Sequence, residues 1–178
     1  MHVLILKGQA ALPAFRAAAL LTSLRVATPA LSVASLDAIF LYFIDAAKPL
    51  DDDALAKLQA LLNAVPCRTY GDGFVVIPRK GTVSPWSSKA TGIFHACGLA
   101  AVRRVERGVL YTVRAGDGAV VSAAALGAQL NLLHDRMIEG VYDTVADMFD
   151  RRPPAPLREV DVVNGGVAAL HDANSNMG

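Results

Sequence analysis

The sequence predicts an α+β fold: two fused β-α-β-α units whose strands form one antiparallel or mixed sheet covered by helices. Three observations predict it. Strand-like and helix-like apolar patterns alternate along the chain, which is the mark of packed layers of sheet and helix. The strongest strand, Leu36 to Ile44, is apolar on both faces, so both must be covered. The order of elements then recurs after about 70 residues, a spacing that suits a pair of supersecondary units.

Each element has its own local reason. Val3 to Leu6 is a short apolar strand. Pro13 opens a helix, where its fixed φ and missing N–H cost nothing, and Phe15, Ala18, Ala19 and Leu20 to Leu24 continue it. In the next strand Leu36, Ala38, Phe40, Tyr42 and Ile44 share one face; Ile39, Leu41 and Phe43 share the other. Asp51, Asp52 and Asp53 start a second helix, because carboxylates suit the positive N-terminal end, and Leu55, Leu58, Leu61 and Leu62 give it an apolar face. Asp72-Gly73 marks a turn before a strand from Phe74 to Pro78. Pro85 and Ser87 open a third helix that runs to about Cys97 and ends at Gly98. Val102 to Val113 is a strand. Val121 to Phe149 reads as helical, with Leu126, Leu130, Leu133, Met137, Val141, Val145 and Met148 near one face and a break near Asp135.

Pro13 and Pro85 stand 72 positions apart, and Tyr42 and Tyr111 stand 69 apart. The segments ending at those tyrosines share a small residue, two apolar residues and the ring. These matches define the internal repeat within residues 1–150. After Asp150, Arg151-Arg152-Pro153-Pro154-Ala155-Pro156 cannot continue a helix. Residues 151–178 have little apolar periodicity and read as the start of a linker.

Composition narrows the function classes. Of 178 residues, 53% are hydrophobic and 19% charged, which describes a packed globular protein. A formal net charge of +1 gives no field that favours nucleic acid or an anionic membrane. No apolar run approaches the length of a membrane span, and Lys7 interrupts the N-terminal run too early for a signal peptide. Cys67 and Cys97 make neither a CxxC pair nor a disulfide framework, which suits a reducing cytosol. A cytoplasmic setting is expected.

Chemistry-bearing motifs are sparse. His2, His95, His134 and His171 have no HxxxH or HExxH spacing, so no metal ligand is assigned. Gly71-x-Gly73 and Gly116-x-Gly118 lack the glycine and lysine that complete a phosphate loop, so no cofactor-binding residue is assigned either. Arg103, Arg104, Glu106 and Arg107 crowd one strand; they read as an interface for acidic partners or as an edge strand guarded by charge. The most unusual stretch surrounds the single tryptophan: Ser84, Pro85, Trp86, Ser87, Ser88, Lys89 and Thr91. One reading is a helix N-terminus whose free N–H groups receive an anion or dock another domain. The other has Ser84 or Ser87 capping the helix while Trp86 packs into the core. A Ser87–Lys89 nucleophile pair lacks an orienting third group. No catalytic residue is assigned.

The run from Gly81 through Ile93, followed by His95, Cys97, Gly98 and Leu99, closely resembles a stretch of the large single-chain formylglycinamide ribonucleotide amidotransferases, the phosphoribosylformylglycinamidine synthases. Val105-Glu106-Arg107-Gly108, Leu133-His134-Asp135-Arg136-Met137 and the opening Gly8-x-x-Ala11-Leu12-x-Ala14-Phe15 resemble it too, in the same order. The resemblance implies the N-terminal domain of that ligase, itself similar to a fused dimer of the small subunit of the multi-subunit enzyme. It implies a scaffold that packs on the synthetase domain and helps enclose the ammonia route, inactive by itself. ATP and magnesium are implied for the full-length enzyme, and the synthetase and glutaminase domains of the same chain as partners. Ser84, Pro85, Trp86, Ser87, Ser88, Lys89, Thr91 and Arg107 are the expected interface and coupling residues. Self-association of the 178-residue piece through an exposed apolar patch is also expected. The alternative is a regulatory domain that binds a small molecule between its halves.

Overall fold

Two long strands of equal length form the middle of the molecule. In this computed structural model, which describes residues 2–145, 147–150 and 156–177, β2 (Val33–Ala46) and β5 (Val102–Ala115) each run 14 residues and pair antiparallel. The remaining strands are β1 (His2–Ala10), β3 (Val65–Pro66), β4 (Phe74–Pro78) and β6 (Glu139–Tyr142). Together they form one sheet in the order β3-β1-β2-β5-β4-β6, antiparallel at every step. The α-helices are α1 (Ala14–Ala27), α2 (Asp52–Leu62), α3 (Pro85–Ala96), α4 (Ala123–Leu126) and α5 (Val162–Met177). The fold is α+β, as expected.

Both faces of β2 are covered, as its two-sided apolar pattern requires. Leu36 and Ala38 pack with Leu24 of α1, Phe74, Tyr111 and Val113. Further along the same face, Tyr42 and Ile44 pack with Leu58 of α2 and Phe94 of α3. Leu41 and Phe43 on the other face pack with Val75, Ile77 and Leu110 under Val145 and Met148. The segment after β6 therefore lines the back of the sheet.

Local signals act where the sequence places them. Asp51 caps α2 by accepting the Ala54 N–H at 2.8 Å. Pro13 is the extended residue just before α1, and Gly98, at φ 83°, follows α3. The two halves share a plan. β1–α1–β2 and β4–α3–β5 are each strand, helix, strand with antiparallel pairing. β2 and β5 begin and end 69 positions apart, the spacing of Tyr42 and Tyr111. Near the end of α1, Arg25 donates to Val33 O at 2.8 Å; near the end of α3, His95 donates to Val102 O at 2.6 Å. In each half, the last helical turn holds the first carbonyl of the strand that follows.

Two expectations need correction. Of the helix read over residues 121–149, only the short α4, Ala123–Leu126, is α-helical in the described part of that span. After α4 the chain turns at Gly127, φ 53°, runs as a 3₁₀ helix over Gly127–Leu132, turns at Asp135 and enters β6. The leucines spaced like a helix face are satisfied by packing Leu126, Leu130 and Leu133 against the α1 side of the sheet. Val141 then pairs with Val76, a partner that local periodicity does not reveal. The second correction concerns the charged strand. β5 is an interior strand and not an edge strand, although β4 pairs with it only from Tyr111 to Val109, leaving its first half open on that side. Within the C-terminal segment, α5 spans Val162–Met177 with a bend at Gly166, φ 53°. Residues 151–155, most of the proline-rich stretch 151–156 that opens the linker read over 151–178, lie outside the described residues.

Candidate functional site around the start of α3

The open half of β5 determines how α3 sits. A strand without a neighbour leaves backbone N–H and C=O groups that need partners. Three α3 side chains supply them at a spacing of four residues, one stripe of a helix. Ser87, fully buried, donates its hydroxyl to Val105 O. The Thr91 hydroxyl accepts the Val105 N–H at 3.2 Å. His95 completes the stripe at Val102 O. Side chains thus replace the missing ladder, and the hydroxyls around Trp86 are explained by fastening helix to sheet.

The first turn of α3 is held by a carboxylate. Glu106, 1% exposed, is one of two buried polar side chains among the described residues. It accepts the Ser84 hydroxyl at 2.6 Å and the Ser84 N–H at 3.3 Å. It also accepts from Arg104 Nη2 at 3.0 Å and the Arg107 N–H at 3.1 Å. Ser84 in turn caps the helix, its hydroxyl accepting the Ser87 N–H at 3.0 Å. The positive end of α3 thus carries an internal anion.

Trp86 is half-buried. Its ring lies 5.9 Å from that of Tyr42, centroid to centroid. The Arg107 guanidinium lies over both Trp86, at 4.9 Å, and Phe40, at 4.7 Å. Burial pushes the Tyr42 hydroxyl above its ordinary pKa, opposed by the nearby Arg107 charge. A cavity of about 460 Å³ opens here, lined by Phe40, Val76, Trp86, Arg107, Val109 and the Met137–Glu139 loop among others.

The sequence profile described as formylglycinamide ribonucleotide amidotransferase N-terminal matches residues 39–150. The chain belongs to this family. The amidotransferase in question is an enzyme of purine biosynthesis. The match takes in β2 from Ile39 onward, α3, β5 and the whole Trp86 cluster; β1, α1 and the start of β2 precede it.

The expected interface residues of this amidotransferase domain separate into groups. Ser84, Pro85, Trp86 and Arg107 come together on the 460 Å³ cavity. Ser87 and Thr91 are committed to Val105, and Ser88 and Lys89 are exposed. Ser87 is sealed against β5 while Lys89 faces outward, so the two form no nucleophile pair. Phe40, Tyr42 and the Met137–Glu139 loop were not among the expected interface residues, and Glu106 was read only as part of the charged run of its strand. The four-residue spacing of Ser87, Thr91 and His95 was a legible signal, whereas the pairing of Glu106 with Ser84 was not, because it joins positions 22 apart. No group of three or more His, Cys, Asp and Glu side chains suited to a metal ion occurs among the described residues. None of the described helices is long and apolar enough to cross a membrane.

Proposed function

We propose that this chain is the N-terminal scaffold and coupling domain of phosphoribosylformylglycinamidine synthase, the ligase that converts formylglycinamide ribonucleotide, ATP and glutamine to formylglycinamidine ribonucleotide. One observation carries the reading. The polar groups that converge at the start of α3 are spent on the domain itself: Ser84 on Glu106, Ser87 and Thr91 on Val105, His95 on Val102. The carboxylate that takes the Ser84 proton is buried and ion-paired to Arg104, and the partners of Ser87 and Thr91 are backbone groups, so the cluster is not an activated nucleophile. On this reading the ATP, magnesium and glutamine chemistry belongs to the synthetase and glutaminase domains of the same cytoplasmic protein, and this domain supports them.

The repeat supports descent from two fused copies of a small subunit. Ala38 pairs with Tyr111, and Tyr42 with Arg107. A shift of 69 positions exchanges those two pairs, as a two-fold axis through the Phe40–Val109 pair would.

The coupling face is the rim carrying Ser84, Pro85, Trp86 and Arg107, where Met137, 79% exposed, and Ile138, 64% exposed, offer apolar surface to a partner domain, together with the exposed Ser88 and Lys89 of α3. With that face and Phe15 of α1 uncovered, the isolated chain is expected to self-associate. The test of the role is an assay of the purified 178-residue chain for glutamine hydrolysis and ATP turnover. Neither is expected, and measured turnover of either would overturn the scaffold reading.

A further inference from the structure

Arg107 places a cation on an otherwise apolar face of the sheet, where its contacts are the Trp86 and Phe40 rings. It lies on the helix-covered face of β5, between Val105 and Val109, and its counterpart under the 69-residue shift is the buried Ala38. The other charged side chains on the 460 Å³ cavity are engaged. Arg79 donates to Arg136 O at 2.7 Å, Glu139 accepts the Asp135 N–H at 2.8 Å, and Glu106 holds Ser84 and Arg104. The Arg107 guanidinium has its two ring contacts and no hydrogen-bond acceptor or ion-pair partner among the described residues. Rings stacked on a guanidinium cover its faces and fix its orientation, and they leave its in-plane N–H groups available. A half-buried cation surrounded by apolar walls is costly unless an anion meets it.

The walls complete the description of a ligand site. Phe40, Val76, Val109 and the Trp86 ring are apolar, and the volume lies in the range of small-molecule pockets. We propose that this cavity binds an amphipathic anion, a flat apolar body bearing one carboxylate or phosphate, with the anion on Arg107 and the body between the Phe40–Trp86 side and Met137. The proposal goes beyond the scaffold reading, and its failure would leave that reading standing.

Trp86 is the single tryptophan and stands in the cavity wall, so its fluorescence reports occupancy directly. The probes are phenyl phosphate and benzoate, with inorganic phosphate as the reference. The expected result is a saturable change in Trp86 fluorescence with the aromatic anions, weakened by at least about tenfold in Arg107→Gln. Met137→Asp places a carboxylate on an exposed rim position without disturbing the core, and it is expected to weaken binding as well. Four results would overturn the proposal: no saturable signal with either aromatic anion, unchanged affinity in a folded Arg107→Gln, unchanged affinity in Met137→Asp, or inorganic phosphate binding as tightly as phenyl phosphate. The last would mean that the apolar wall contributes nothing.

Discussion

The carboxylate of Glu106, in the interior of the sheet, accepts the hydroxyl of Ser84 at 2.6 Å, and through that one bond the start of α3 is tied to β5. Ser84 spends its single proton on Glu106 and one lone pair on the Ser87 N–H, so one residue serves the strand and the helix together. Removing the carboxylate takes the ion-pair partner from Arg104, which keeps its bond to Thr82 O at 2.6 Å, and leaves the Ser84 hydroxyl without its acceptor. Glu106→Ala is therefore expected to cost about 2–4 kcal/mol in equilibrium denaturation. Glu106→Gln, which keeps the shape and loses the charge, is expected to cost less. A Glu106→Ala protein as stable as the parent would contradict the clasp.

The stripe on α3 gives a paired comparison. Ser87→Ala leaves Val105 O without its donor in a fully buried setting, at an expected cost of about 1–3 kcal/mol. Ser88→Ala, one position on and exposed, is expected to change stability by no more than about 0.5 kcal/mol. Urea unfolding of the two variants side by side decides it, and equal effects would mean that Ser87 is not fastening the open strand.

The legible part of this fold was the part written in short-range pattern. Phe74 to Pro78 reads as a strand from its run of apolar residues, and the two faces of β2 are visible in the alternation of Leu36, Ala38 and Phe40 with Ile39 and Leu41. The failures share a cause. Leu126, Leu130 and Leu133 repeat at helical spacing, yet the chain turns at Gly127 because contacts with α1 and the sheet outweigh a weak local preference. β6 exists because Val141 finds Val76, and β3 because Val65 finds Lys7. At the site, Ser84 and Trp86 were identified from the unusual motif, and Arg107 from the charged run of its strand and the family resemblance. Phe40, which completes the stack on Arg107, lies on the other central strand and is joined to Arg107 only by the folded sheet.

Gly108 is needed for space. A Cβ there would come within 2.5 Å of Ile77 Cγ2, 2.9 Å of Val76 O and 3.2 Å of Phe43. One of those neighbours is backbone and cannot step aside. Gly108→Ala is expected to destabilise by about 1–3 kcal/mol, read as a lowered melting temperature. An unchanged melting temperature would show that β4 and β5 can separate freely at this point.

Tyr42 supplies a pH signature. Burial raises its pKa above the ordinary phenol value of 10.0, and the Arg107 charge works the other way. Ultraviolet difference titration should find this phenol ionising late, and later still in Arg107→Gln. Because the folded value exceeds the unfolded one, the contribution to stability is fully present below about pH 10 and is lost as pH rises through the raised value. A Tyr42→Phe protein is expected to lose that part of the alkaline slope. Retention of the full slope would assign it to other groups.

The most direct measurement is complementation in trans. The synthase polypeptide lacking this domain would be assayed for formylglycinamidine ribonucleotide synthesis from glutamine, with and without the purified 178-residue chain. Restored glutamine-dependent synthesis, weakened when the coupling face carries Trp86→Ala, is the result expected of a supporting domain. Full activity without the domain, or activity in the 178-residue chain alone, would contradict it.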